Sequence, residues 1–253
     1  MIKKAVKYFL LSLLVYSALA ILTPFSSFLT HRSIQNQISY LSKTLDKGAD
    51  IKLQNKFPEG KVFSNALLAL SIIEYAENNT TKNEEQSPLV DRCISRLLSN
   101  QALRTFDSYM TPKYGMFYNG WTLHVLSEYR KSPLYNYSTI KELVSTNIDT
   151  IQNRLISTQL DSMRILESYS GSYWPADNLI GLISVANDTI QKQWLSTMLE
   201  ATDHPSSLIH HTGSNKSIIR GSSQALTTYC LTELGHLDIV DYYRTYEKYF
   251  IDR

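Results

Sequence analysis

Two side chains in this sequence combine a proton-transferring group with an aromatic setting. Asp177 stands in Ser172-Tyr173-Trp174-Pro175-Ala176-Asp177-Asn178. With Pro175 as the first helical residue, its carboxyl falls in the first turn, where the helix dipole and free N–H groups favour the anion. The sequence therefore predicts a base or a ligand-orienting acceptor there, unless burial outweighs the dipole. The plainer reading is an ordinary helix-start carboxylate. His124 follows Trp121 by three positions and Phe117 by seven, so one helical face carries all three. An imidazole on that face can shuttle a proton near neutral pH, or it is a hydrogen-bonded core histidine. Tyr118, Trp121, Tyr173 and Trp174 offer rings for a pocket wall, and Arg220 a guanidinium for a carboxylate or hydroxyl. Packing and a salt bridge are the competing roles. Asp107 and Tyr109 are further candidates of the same kind.

Other chemistries lack their residues. His204, His210 and His211 have no acidic ligand cluster beside them, and neighbouring histidines on a strand face opposite ways, so no metal site is expected. No Gly-rich phosphate loop, Gly-x-Ser-x-Gly elbow or Cys/His nucleophile pair is present, and no cofactor is implied. Cys93 and Cys230 sit in apolar helical patterns and read as buried thiols.

The elements that must position these groups are mostly helices. Apolar residues recur with helical period over Ile34–Leu45 (ending near Gly48), Val62–Ala76, Pro88–Leu103 (Ser87 as cap), Phe117–Tyr129, and from Ser138 or Thr139 to about Leu166. A helix starts at Pro175, another spans Thr189–Ala201, and Ser222–Leu234 and Ile239–Phe250 close the chain. Asn78–Gln86, Phe106–Tyr114 and Glu167–Trp174 read as loops. Leu208–Arg220, turning at Thr212-Gly213-Ser214-Asn215, reads as a small β-hairpin. Four relatively apolar helices open near Phe63, Phe117, Pro175 and Ser222, at steps of roughly fifty residues, each followed by a more polar one. Such pairs build an α/α array, either an open solenoid or a ring. The loops ahead of the apolar helices are enriched in aromatic residues and carry histidines and glycines as well, which favours an α/α toroid or incomplete toroid. Inner helices of a toroid present their N-terminal ends to one mouth, so Tyr118, Trp121, His124, Tyr173, Asp177 and Arg220 are expected around a single pocket.

Three stretches stand at those helix mouths: Tyr114-Gly115-Met116-Phe117-Tyr118-Asn119-Gly120-Trp121, Ser172–Asn178, and Ile219-Arg220-Gly221-Ser222-Ser223. In kind, order and spacing they resemble the motifs of a family of bacterial α/α-toroid proteins related in architecture to linalool dehydratase–isomerase. The resemblance spans about residues 60–250. It implies a toroid with a central aromatic cavity.

Compartment is read from the N-terminus. Lys3, Lys4 and Lys7 precede the apolar run Tyr8–Leu22, and without them the formal charge of +2 becomes −1. No basic stripe remains for nucleic acid. Residues 1–30 read as an N-terminal hydrophobic helix: an inner-membrane anchor with the body facing the periplasm or cell exterior, or a signal peptide cleaved after Ala20. Residues 31–253 form the toroid-like domain. Seventeen tyrosines suit a cavity of amphipathic rings. Two functions follow: cofactor-independent acid–base chemistry, of lyase, isomerase or glycan-active type, on a small hydroxylated, terpenoid-like or sugar ligand, or non-catalytic binding of a ligand or partner.

Overall fold

The computed structural model describes residues 30–79, 82–162, 164–200, 202–203, 208–212 and 220–235. The expected N-terminal hydrophobic segment and the final helix Ile239–Phe250 lie outside the described residues. The chain divides into two compact units, Met1–Gly48 and Ala49–Arg253. In the first, residues 30–46 form α1, and Gly48 follows in the left-handed conformation (φ 79°) that suits a helix end. No described helix is long and apolar enough to cross a membrane.

The second unit is helical. Its elements are α2 (Ala49–Gln54), α3 (Gly60–Glu77), α4 (Asn83–Leu97), α5 (Asn100–Leu103), α6 (Gly115–Lys131), a 3-10 turn (Pro133–Tyr137), α7 (Lys141–Ser162), α8 (Pro175–Leu182), α9 (Asp188–Leu199) and α10 (Gly221–Glu233). In chain order α3 packs on α6, α6 on α8, and α8 on α10, while α4, α7 and α9 each pack on the helix before them. The packing follows composition. α6 buries residues around its whole circumference from Gly115 to Ser127, and every residue of α8 is buried; α9 buries only Ile190, Trp194 and Met198.

The α6–α8 crossing is set by two glycines. A Cβ on Gly120 would lie 2.9 Å from Ile180 Cγ2 and 3.0 Å from the Asp177 carbonyl oxygen; one on Gly181 would lie 3.4 Å from Gly120 Cα. Gly120 thus meets Gly181, and a turn further along the chain His124 on α6 meets Ser184, just past the end of α8. The two helices therefore run in the same direction, with their backbones in near contact.

Polar side chains tie the pairs together. Asp91 on α4, 6% exposed, accepts hydrogen bonds from Tyr129 Oη (2.7 Å), Ser138 Oγ (2.8 Å), Thr139 N (2.9 Å) and Thr139 Oγ1 (3.0 Å). This carboxylate holds the end of α6 and the segment entering α7. Asp50 on α2 forms a buried ion pair with Lys61 (3.3 Å) and accepts from Asn65 Nδ2 (3.1 Å), fixing α2 to the start of α3.

Several boundaries differ from the sequence reading. α4 begins at Asn83, so Asn83–Gln86 is helix and Ser87 is no cap: Glu84 and Glu85 favour the first turn by their charge, and Ser87 Oγ bonds Tyr129 Oη at 2.9 Å. Pro88 is the sixth residue of this helix, past its first turn, so it leaves the Glu84 carbonyl without the usual backbone donor. The helix expected to run to Leu103 breaks after Leu97, because Ser99 accepts from Ala102 N and caps the separate turn α5. α7 ends at Ser162, short of Leu166, whose N–H and C=O are both claimed by the Asn178 side chain at 2.8 and 2.9 Å. Leu208–Ile209 pairs back on Thr202–Asp203, antiparallel; the turn and second arm of the hairpin expected over Leu208–Arg220 fall largely in residues 213–219, outside the described residues.

Candidate functional site

A cavity of about 430 Å³ opens between the helices of the row. Its apolar wall is formed by Leu67, Leu70, Trp121, Ile180 and Leu226; Glu74, Glu77 and Glu128 stand on it too. α3, α6, α8 and α10 all contribute. The volume falls in the usual range for small-molecule sites. Its most specific polar feature is His124 on α6, 2% exposed. His124 Nε2 lies 3.0 Å from Tyr229 Oη on α10, and Nδ1 lies 3.2 Å from Ser184 Oγ just past α8. Burial pushes the imidazole pKa down to about 4; Glu128 opposes this and Lys131 adds to it. The ring is neutral at physiological pH.

Asp177 occupies the first turn of α8, as expected, and here burial outweighs the helix dipole. Burial raises its pKa to about 7; a Ser168 hydrogen bond opposes this, and the charge of Glu59 reinforces it. Desolvation outweighs the helix dipole, because the carboxyl is only 5% exposed and Oδ2 has no hydrogen-bond partner. Trp121 Nε1, Thr122 Oγ1 and Tyr169 Oη are likewise buried without a hydrogen-bond partner, while the two asparagines of the motifs are fully used. Asn178 is consumed in holding Leu166 and the Trp174 carbonyl. Asn119 likewise bonds the Lys113 and Gly115 carbonyls and accepts from Arg154. Gly115, at φ 72°, abuts the Ser168 backbone. Most conspicuous residues of the first two motifs thus shape loops and crossings, and Asp177 keeps an oxygen that does neither.

The candidates do not all share one pocket wall. Trp121 and His124 line the cavity together. Trp121 also meets Phe63 edge-on at 5.1 Å. Tyr118 is buried against Phe106 and Tyr114 with its hydroxyl 3.4 Å from the Leu97 carbonyl, and burial raises its pKa to about 12. Asp177 sits beside the glycine crossing, outside the cavity lining. Trp174 lies 4.8 Å from Tyr169 and 4.7 Å from His211, whose Nδ1 is 2.9 Å from Ser223 Oγ. Arg220 is exposed at the N-cap of α10, where its charge adds to the effect of burial in lowering the His211 pKa. Tyr173 is 40% exposed. Asp107 accepts from Tyr109 N in a local turn, and the Tyr109 ring is 93% exposed. Cys93 and Cys230 are free, buried thiols.

Sequence reasoning missed Tyr229, Ser184 and the three glutamates. The signal for Glu74 and Glu77 was present as carboxylates at i and i+3 near the end of an apolar helix. Tyr229 gave none beyond being a tyrosine on the last helix of the row. Compared with known proteins, the chain matches no family model, no curated protein and no solved structure.

Proposed function

We propose that this chain is an α/α toroid, closed or incomplete, with an architecture related to linalool dehydratase–isomerase. It holds a small hydroxylated, terpenoid-like or sugar molecule in the cavity among its inner helices and acts on it by cofactor-independent acid–base chemistry. The observation that carries this reading is His124: a buried, neutral imidazole in the wall of a mainly apolar cavity, hydrogen-bonded through both ring nitrogens. Asp177, protonated through much of the acidic range, supplies the second proton-transferring group on α8. A non-catalytic binding role is the second reading. The depressed basicity of His124, and the position of Asp177 outside the cavity lining, favour it.

Mass spectrometry of small molecules carried through purification, followed by thermal-shift titration with the compound found, tests the binding step. The expected result is a rise in Tm for the wild type that His124→Gln abolishes. An equal rise in both proteins rejects the site. Turnover of the bound compound decides between catalysis and binding.

The body is placed outside the cytoplasm, because the only basic cluster precedes the apolar run Tyr8–Leu22. An alkaline phosphatase fused after Arg253 is expected to be active. Cytoplasmic fluorescence from the matching fusion, without phosphatase activity, contradicts the placement.

A further inference from the structure

Tyr229, His124 and Ser184 form a hydrogen-bonded chain from the cavity into the α6–α8 contact. The imidazole is buried and meets the Tyr229 ring edge-on at 5.7 Å, while Tyr229, which lines the cavity, remains 41% exposed. A neutral imidazole carries one N–H, and the nitrogen that bears it decides what Tyr229 presents. With the proton on Nε2, the ring donates to Tyr229 Oη and the phenolic hydrogen is free to reach an occupant. With the proton on Nδ1, the phenolic hydrogen is spent on Nε2 and the cavity meets only lone pairs. Ser184 breaks the tie. Its hydroxyl faces the α6–α8 contact with Nδ1 as the acceptor within reach, whereas the Tyr229 hydroxyl has the open cavity for its hydrogen.

We propose that Tyr229 is the specificity-determining donor of this cavity, its hydroxyl held by His124 Nε2–H and aimed at the uncharged oxygen of a small, mainly apolar alcohol, ketone or ether. His124 and Ser184 are positioning residues for that donor. Leu67, Leu70, Ile180 and Leu226 take the apolar body. Glu74 and Glu77, both exposed, add negative charge that disfavours carboxylates and phosphates. The phenol stays protonated: burial raises its pKa, and Glu233, Glu128 and Glu74 reinforce the effect. This inference rests on the cavity being the binding site.

The test uses the full chain with histidine labelled with nitrogen-15, read by NMR with 1-octanol, octanoate and octylammonium as probes. The free protein should show His124 as the Nε2–H tautomer, and Ser184→Ala should move population toward Nδ1–H. 1-Octanol should shift the His124 signals. Tyr229→Phe, which keeps the ring, should weaken its Kd about fivefold, the loss expected for one net hydrogen bond. Ser184→Ala should weaken it as well, without altering the cavity lining. Octanoate should bind at least about tenfold more weakly than the alcohol. An Nδ1–H tautomer in the free protein overturns the inference, as does undiminished octanol affinity in Tyr229→Phe. Tighter binding of octylammonium than of octanol assigns recognition to the carboxylates and also overturns it. If none of the three probes moves the His124 signals, the cavity reading itself fails, and this inference with it.

Discussion

Asp177→Asn is expected to stabilise the protein at pH 8. The wild-type carboxyl titrates near 7 in the fold, against 3.8 for the free group. Between those values the native state holds a proton that the unfolded chain has released, so stability is full below about pH 4 and falls as pH rises to about 7. The difference of roughly three pH units corresponds to about 4 kcal/mol of native stability lost by pH 8. Asparagine has the same shape and no charge to desolvate. Urea denaturation between pH 4 and 8 should show the two proteins converging at the acid end and separating by about that amount at pH 8. Parallel curves would show that Asp177 is not the buried acid described above. On the proposed acid–base role the same replacement lowers turnover of the bound compound while strengthening the fold, whereas on the binding reading it leaves ligand affinity unchanged.

Asp91→Ala should have an effect of similar size and opposite sign. Four donors converge on this one carboxylate, from Tyr129, Ser138 and both the amide and hydroxyl of Thr139. Its removal leaves buried Tyr129 Oη with only Ser87 as a neighbour and frees the segment that leads into α7. Losing a buried, charge-assisted network of this kind costs about 3–5 kcal/mol. Asp91→Asn, which retains acceptor capacity at one oxygen, should lose less. Equilibrium denaturation of the two variants measures both, and a loss below about 1 kcal/mol for alanine would show that water replaces the network.

Local signals made parts of this architecture readable. Pro175 marks the first residue of α8, Gly48 marks the end of α1, and the apolar helices near residues 63, 117, 175 and 222 are present. Such features depend on a few neighbouring residues. The start of α4 was not readable, because Pro88 suggests a first-turn position, and what anchors Ser87 is a tyrosine hydroxyl 42 residues away. The end of α7 depended on Asn178 capturing Leu166, a tertiary bond with no local trace. The site divides the same way. Helical spacing placed His124 with Trp121, but the partners that give the imidazole its role come from α10 and from the end of α8. The charge state of Asp177 was not readable, because position in a turn is local and desolvation is not.

The glycine crossing has a consequence for assembly of the molecule. Each principal interface joins helices close in chain order: α3 with α4 and α6, α6 with α7 and α8, α8 with α9 and α10. Loop closure therefore brings together only short stretches of chain at each step, and structure can grow from a formed pair one unit at a time. Gly120 against Gly181 is where the backbones of α6 and α8 approach closely with no side chain between them. α8 docks on α6 through this contact, and α9 and α10 pack in turn on α8. The propagating edge of the folding molecule thus passes through the contact that later sets Ser184 beside His124, and correct assembly of the row and construction of the cavity wall are one event.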